Sequence, residues 1–432
     1  MNPNLWNLLR TKRFLPLFLT QFFGAFNDNI FKNSLVILIT YVLVESSELS
    51  PQMMVTLAAG IFILPFFLFS ATAGQLADKF DKAKFIQIIK FVEIILMVCA
   101  AVGFYLENIN FLMMVLFLMG TQSAFFGPVK YGILPDQLHP HELIGGNALI
   151  EAGTFLAILG GTILGGLLIL TQNGIVIISL LVITFALTGW ICSLFIPPAK
   201  AADPGIDIKY NFFIETYEIV QHIRTNPVVF RSILGISWFW LFGATFLSQF
   251  PTFGKDIIGG NEQVVTLFLT VFSIGIGIGS LFCHKLLKGK IAATYVPMGI
   301  IGMTVFTVDL YFASGNAGSV DQGELIGAVT FLSSFAHWRI LFDLLGISIC
   351  AGIYIVPLYA IMQNQTENSY RSRTIAGNNV LNALFMVGSA LAITVMLSKN
   401  FSVTEVFLTL AILNGLVAIY ISRLLNAHAI FD

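Results

Sequence analysis

Apolar residues in this chain come in long unbroken blocks rather than in alternation. A helix crossing the hydrocarbon core of a membrane takes about 20 residues. Twelve blocks reach that length, near 14–44, 52–77, 84–105, 110–128, 144–170, 174–196, 228–252, 263–284, 291–313, 338–362, 374–398 and 402–423. Short polar stretches separate them and carry most of the charge. Only helices and closed barrels satisfy their backbone groups in lipid. The pattern therefore predicts an all-α membrane protein with twelve transmembrane helices. These fall into two pseudo-symmetric six-helix bundles, 1–196 and 228–432, with a cytoplasmic linker at 197–227.

Composition agrees. The 432 residues are 57% hydrophobic and 10% charged, where a soluble domain carries about 25% charged residues. So few charges cannot cover a water-facing surface, and lipid has to be the solvent. The net charge of −1 gives no sign of nucleic-acid binding. Cys99, Cys192, Cys283 and Cys350 lie in apolar runs without metal or redox spacing, and read as small core residues. Arg10, Lys12 and Arg13 precede the first block, and no small-residue cleavage site follows, so that block is expected to be a retained helix.

Basic residues set the orientation. The even-numbered loops and the termini hold Arg10, Lys12, Arg13, Lys79, Lys82, Lys84, Lys200, Lys209, Arg224, Arg231, Lys285, Lys288, Lys290, Arg371, Arg373 and Arg423, with Lys130 after the fourth block. The odd-numbered loops hold little beyond Lys255, Arg339 and Lys399. Positive residues stay in the cytoplasm, so both termini are expected there.

In the linker, Pro197-Pro198 and Asp203-Pro204-Gly205 break helix. Lys209 to Arg224 is amphipathic, with Phe213, Tyr217 and Val220 on one stripe and Glu215, Glu218 and His222 on another. It reads either as a helix lying on the inner membrane surface or as a packed surface helix. The halves also share a short pattern: Pro128 precedes Gly146-Asn147-Ala148-Leu149, and Pro357 precedes Gly377-Asn378-Asn379-Val380-Leu381. The outer loop Ala313 to Trp338 contains Asp321, Glu324 and an apolar patch from Leu325 to Phe335, expected to hold a short re-entrant or interfacial helix.

The first block departs from the others at its centre, where Gly24-Ala25-Phe26-Asn27-Asp28-Asn29 and Lys32 interrupt the apolar run. Hydrocarbon penalises such groups by several kcal/mol each, so they are expected to face a cavity inside the bundles. Candidate substrate contacts are Asn27, Asp28, Asn29, Lys32, Lys130, Glu151, Asn378 and Asn379. Asp28 with Lys32 and Arg339 with Asp343 are spaced i,i+4, and Lys90 with Glu93 i,i+3, so each can pair on one helix face. Lys90–Glu93 reads as a self-neutralising pair and Asp28 as a cavity residue. Glu151 shares a helix side with Asn147, which fits a gate or a helix contact.

Other chemistry finds no support. His139 and His141 are split by Pro140 without a third ligand nearby, which reads as a solvated loop and no metal. There is no G-x-S-x-G, and no His is followed five positions later by Asp. Gly275-Ile-Gly277-Ile-Gly279 lies inside a block and reads as helix packing. A transporter is expected, with no catalytic residues and no cofactor.

The loop Gly74-Gln75-Leu76-Ala77-Asp78-Lys79-Phe80-Asp81-Lys82-Ala83-Lys84 places Asp78 where it can cap a neighbouring helix or pair with a base. Gly74, Asp78, Lys79 and Lys82 are the candidate conformational latch. The spacing resembles the loop signature of the major facilitator superfamily, with Asp81 where that pattern usually has glycine. The corresponding loop Gly279 to Lys290 keeps Gly279, Leu281 and Lys288 but has Cys283 in the acid's place, so the latch is expected to be asymmetric.

Three further stretches are similar to the lysophospholipid transporter family within that superfamily. They are Phe14 to Asn29, Gly127 to Pro135 with Gly146 to Ala152, and Arg371 to Ala383. The resemblance implies a flippase of the bacterial inner membrane that serves phospholipid repair. It would move lysophospholipids from outer to inner leaflet by alternating access, among membrane lipids and beside an acyltransferase/acyl-carrier-protein synthetase. The family's Asp-Asn matches Asp28-Asn29, and its Lys after span four matches Lys130. Some members carry an arginine in the seventh span, where Leu241 to Gln249 has no base. Two other readings stand beside it: a proton-coupled carrier of a small amphipathic solute or drug, with Asp28 taking the proton, and a non-transporting membrane partner of an acyltransferase.

Overall fold

The computed structural model describes residues 5–41, 51–315 and 325–428. Twelve long helices follow one another: α1 (Leu15–Tyr41), α2 (Pro51–Lys79), α3 (Lys82–Tyr105), α4 (Ile109–Gly132), α5 (Leu143–Ile169), α6 (Gly174–Ser193), α7 (Pro227–Thr252), α8 (Glu262–Leu287), α9 (Val296–Gly315), α10 (Phe335–Asn364), α11 (Arg371–Ser398) and α12 (Val403–His428). They coincide with the twelve apolar blocks. The clearest shift is at α9, which begins five residues late; Pro297, with its fixed φ, suits a first helical turn. Among the described residues, eleven helices are long and apolar enough to cross a membrane. The remaining one is α1, whose 27 residues span about 40 Å at 1.5 Å per residue but whose centre is polar.

The chain forms two compact units. The first comprises Met1–Gly146, Leu156–Pro227 and Gln363–Ala383; the second comprises Asn147–Phe155, Val228–Met362 and Leu384–Asp432. The opening turns of α11 thus pack with the first unit. In that unit α2 lies along α4, and α6 lies along both α1 and α3. Phe31, Met97, Phe104 and Leu116 centre its apolar core, with the Phe31 and Phe104 rings 5.4 Å apart. In the second unit Phe246 stacks on Phe272 and Phe407. Trp238 Nε1 donates to Asn414 Oδ1 at 2.6 Å, and Asn414 Nδ2 donates to the Ile300 carbonyl at 2.8 Å, joining α7, α12 and α9. A side chain at Gly279 would collide with the Ile349 carbonyl, so that glycine run packs α8 against α10.

The linker helix runs Phe212–Arg224, capped by the Asn211 side chain. It buries Glu215, Ile219 and Ile223, the two isoleucines lying against Gly377. The expected apolar stripe faces the other way: Phe213 and Tyr217 are exposed, each at 64%. Glu215, assigned to the polar stripe, is therefore buried, because the isoleucines fix which side packs. In the outer loop, a helix at Ala328–Ser333 follows a parallel bridge between Gly260 and Ile326. Phe331 from that helix packs on Phe268. Asp321 and Glu324 lie outside the described residues.

Candidate functional site

The polar centre of α1 is held in register by α5. Asn33 Nδ2 donates to the Thr162 carbonyl at 2.7 Å, Ser34 Oγ donates to the Gly165 carbonyl at 3.2 Å, and Gly161 lies against the Phe26 carbonyl. This contact turns Gly24, Asn27 and Asp28, which share one helix face, toward α3 and α4. There Glu93 is the hub. Its Oε2 accepts from Lys90 Nζ at 2.6 Å and from Gln122 Nε2 at 3.0 Å, and its Oε1 accepts from Asn27 Nδ2 at 3.1 Å. The Ser123 hydroxyl, 3.3 Å from Gln122 Oε1, donates to Asp28 Oδ2 at 2.9 Å. Asn27, Lys90, Glu93 and Gln122 are all buried.

Gly24 makes room for this cluster. An added Cβ would stand 2.2 Å from Lys90 Nζ, so the ammonium occupies the space a side chain would take. Lys90 also sits 4.4 Å from the centre of the Phe126 ring, and Lys32 the same distance from that of Phe62. These contacts supply cation–π attraction in place of water. Asp28 and Lys32 do not close the expected i,i+4 pair, because Ser123 and Phe62 take their polar ends. Formal charge in the centre still balances, with two carboxylates and two ammonium groups. Beside it, Phe18, Phe22 and Phe26 form a ladder at 6.2 and 5.9 Å, and Phe185 closes on Phe26 at 4.8 Å. A polar, charge-neutral cluster beside an aromatic ladder offers both kinds of contact that an amphipathic molecule needs.

A second cluster lies at the end of α2. Asp78 is fully buried and caps the start of α11: its Oδ1 accepts from Ser372 N at 3.0 Å, and its Oδ2 accepts from Arg373 N and Arg373 Nε, each at 3.2 Å. A carboxylate at a helix N-terminus meets unpaired N–H groups and the positive end of the dipole. Arg373 also donates to Asp203 at 2.9 Å and lies 4.0 Å from the Tyr370 ring centre. Asp136 receives Lys82 Nζ at 3.1 Å and Arg371 at 3.2 Å. Lys79 donates to the Ile206 carbonyl at 2.8 Å. Gly74 permits this closeness, since a Cβ there would stand 2.7 Å from Ala376 Cβ. Asp81 caps α3 by accepting from Lys84 N at 3.0 Å.

The family model for the Major Facilitator Superfamily matches residues 17–336. The chain belongs to the Major Facilitator Superfamily. This facilitator is similar to the "Lysophospholipid transporter LplT" of Citrobacter koseri, 25% identical over 373 residues, covering 85% of this chain and 83% of that relative. The protein of the same name from Escherichia coli O1:K1 is 25% identical over 376 residues, with the same coverage. Among solved structures, the human organic anion transporter MFSD10 overlays with a TM-score of 0.74 at 11% identity, over 95% of this chain and 99% of that one. The E. coli fucose:proton symporter FucP overlays with a TM-score of 0.69 at 11% identity, over 96% and 99%. These likenesses show the fold, and the facilitator is a multi-pass membrane protein.

Within this facilitator the expected substrate residues do not form one cluster. Asn27 and Asp28 join the polar centre. Asn29 turns its amide onto the Ala25 carbonyl of its own helix at 2.7 Å. Lys130 lies at the end of α4, 4.4 Å from the Tyr131 ring centre. One turn before it, Gly127 lies against the Asn379 amide. Asn378 is fully buried, and neither end of its amide has a hydrogen-bond partner among the described residues. Glu151 is buried in the stretch of α5 that belongs to the second unit. The sequence reading missed Glu93 as a hub and passed over Gln122 and Ser123. A Gln-Ser step in the middle of an apolar span was the available signal.

Proposed function

We propose that this facilitator is a lysophospholipid transporter of the bacterial inner membrane, with both termini in the cytoplasm. It moves lysophospholipids from the outer to the inner leaflet by alternating access. The supporting observation is the charge-balanced centre formed by Asp28, Lys32, Lys90 and Glu93 beside the Phe18–Phe22–Phe26 ladder. A zwitterionic head group presents one phosphate and one amine; Lys32 and Asp28, the partly exposed members, can answer both, with the Lys90–Glu93 pair behind them. A single acyl chain suits the aromatic wall. The relatives' name points the same way. Asp78, capping α11 from the end of α2, serves as the cytoplasmic latch, made in one state and broken in the other. The halves 1–196 and 228–432 are the moving bodies, and the segment 197–227 is their link. The lipid delivered suits an acyltransferase partner on the cytoplasmic side, which would restore the second acyl chain.

The test is transport of labelled lysophosphatidylethanolamine in proteoliposomes, with and without a proton gradient. Protein-dependent movement in the absence of a gradient is expected. Movement that requires the gradient would make Asp28 a proton site, and no movement from folded protein would overturn the reading.

A further inference from the structure

Three charged side chains meet where α9 and α10 run side by side in the second unit. Arg339 grips Asp309 through two nitrogens, with Nε donating to Oδ2 at 3.0 Å and Nη2 to Oδ1. The pair is open to its surroundings, with Arg339 46% and Asp309 40% exposed. Behind it Asp343 is 0% exposed, and neither of its carboxylate oxygens has a hydrogen-bond partner among the described residues. Its carboxyl stands beside that of Asp309. The expected i,i+4 pair between Arg339 and Asp343 is thus replaced by a bidentate grip across to α9. Asp309 takes the guanidinium and Asp343 is left without a counter-ion, so with both carboxyls ionised the cluster is one positive charge short. In a membrane such a deficit costs several kcal/mol unless a cation meets it or a carboxyl takes up a proton.

The position says what is within reach. Asp309 stands six residues before the end of α9 at Gly315, and Arg339 four residues after the start of α10 at Phe335. At 1.5 Å per residue these are depths of roughly 9 and 6 Å, which is the head-group layer and the hydrocarbon just beneath it. Trp338 and Phe342 are exposed on the same flank, at 51% and 63%, as in the aromatic belt of a membrane interface. By the basic-residue asymmetry this is the outer side.

We propose that Asp309, Arg339 and Asp343 form an outer-leaflet docking site for a phospholipid head group that carries a primary amine. The ammonium lies against the open carboxylate of Asp309 and neutralises the excess charge that Asp343 adds behind it. Arg339 Nη1, not engaged by Asp309, donates to the phosphate. A head group without an amine leaves Asp343 uncompensated. This site lies apart from the polar centre of α1 and rests on the proposed function only for its choice of ligand class.

Native mass spectrometry reads binding without transport, so this proposal and the proposed function fail separately. The protein would be released from nanodiscs containing equal phosphatidylethanolamine, phosphatidylglycerol and phosphatidylcholine. Wild-type protein is expected to retain phosphatidylethanolamine about tenfold over the other two, the worth of one charge-assisted hydrogen bond. Asp343→Asn and Asp309→Asn are expected to bring the ratio near one, and Arg339→Gln to weaken retention of all three lipids. Equal retention by the wild-type protein would overturn the proposal without any variant. So would an unchanged preference in folded Asp343→Asn protein, which would leave a bound proton as the counter-charge.

Discussion

The polar centre of α1 and the Asp78 cluster are both buried and charged, but they are built differently. In the centre, every hydrogen bond around Glu93 and Asp28 runs among α1, α3 and α4. At the end of α2, Asp78 reaches far along the chain to Ser372 and Arg373, and its main partners are backbone N–H groups at a helix start. Loss of a member from the first set leaves a charge stranded in a fixed frame. Loss of Asp78 frees one helix end. The first should govern integrity and recognition, the second the balance between conformations.

The largest effect is expected at the hub. Glu93→Gln leaves Lys90 buried without its counter-ion, which should cost about 3–5 kcal/mol of stability, read as a lowered melting temperature and poor recovery from the membrane. The double variant Lys90→Met with Glu93→Met should recover most of that stability and none of the lysophospholipid transport. Recovery of both would reduce the pair to packing.

Asp78→Ala comes next. It removes a helix cap, worth about 1–2 kcal/mol, and a partner of Arg373. Transport should slow about tenfold, with little change in the substrate concentration for half-maximal rate. Thiol labelling at Ser372→Cys from the cytoplasmic side should rise in the Asp78→Ala background. Unchanged labelling would sever Asp78 from the conformational change.

Helices and polar partners differed in how far the sequence revealed them. Span positions are set by local composition, since any block of apolar residues long enough to cross lipid forms a helix there. The shift at Val296 came from a proline, also a local matter. Partners are not local. Lys90 and Glu93 do pair as their spacing implied, but nothing in that spacing says that Asn27 and Gln122 complete the set. Arg339 had Asp343 one turn away and took Asp309 on the facing helix, because two parallel hydrogen bonds hold a guanidinium better than one. Asp28 itself was legible, since a carboxylate in mid-span needs a reason to be there. Its partner Ser123 was not, since single hydroxyls are common in spans and bond to their own helix.

The smallest effect is expected on the linker. Burial pushes the Glu215 carboxyl above its usual value of 4.5, and Lys209 only partly opposes this. A carboxyl with a raised value in the folded state holds its proton longer there than in the unfolded chain. Its contribution therefore favours folding at low pH and is lost as pH rises from about 4.5 through the raised value. Glu215→Gln should flatten that part of the pH–stability curve and slightly raise the melting temperature at neutral pH.

The most direct test is the initial rate of lysophosphatidylethanolamine movement by Asp28→Asn protein, compared with wild type at equal insertion and equal melting temperature. Asparagine keeps the shape and can still meet the Ser123 hydroxyl, but it removes one of the two negative charges of the centre. A rate lower by about tenfold, the worth of one charge-assisted contact, is the predicted result. Equal rates would contradict the assignment of head-group recognition to the centre of α1.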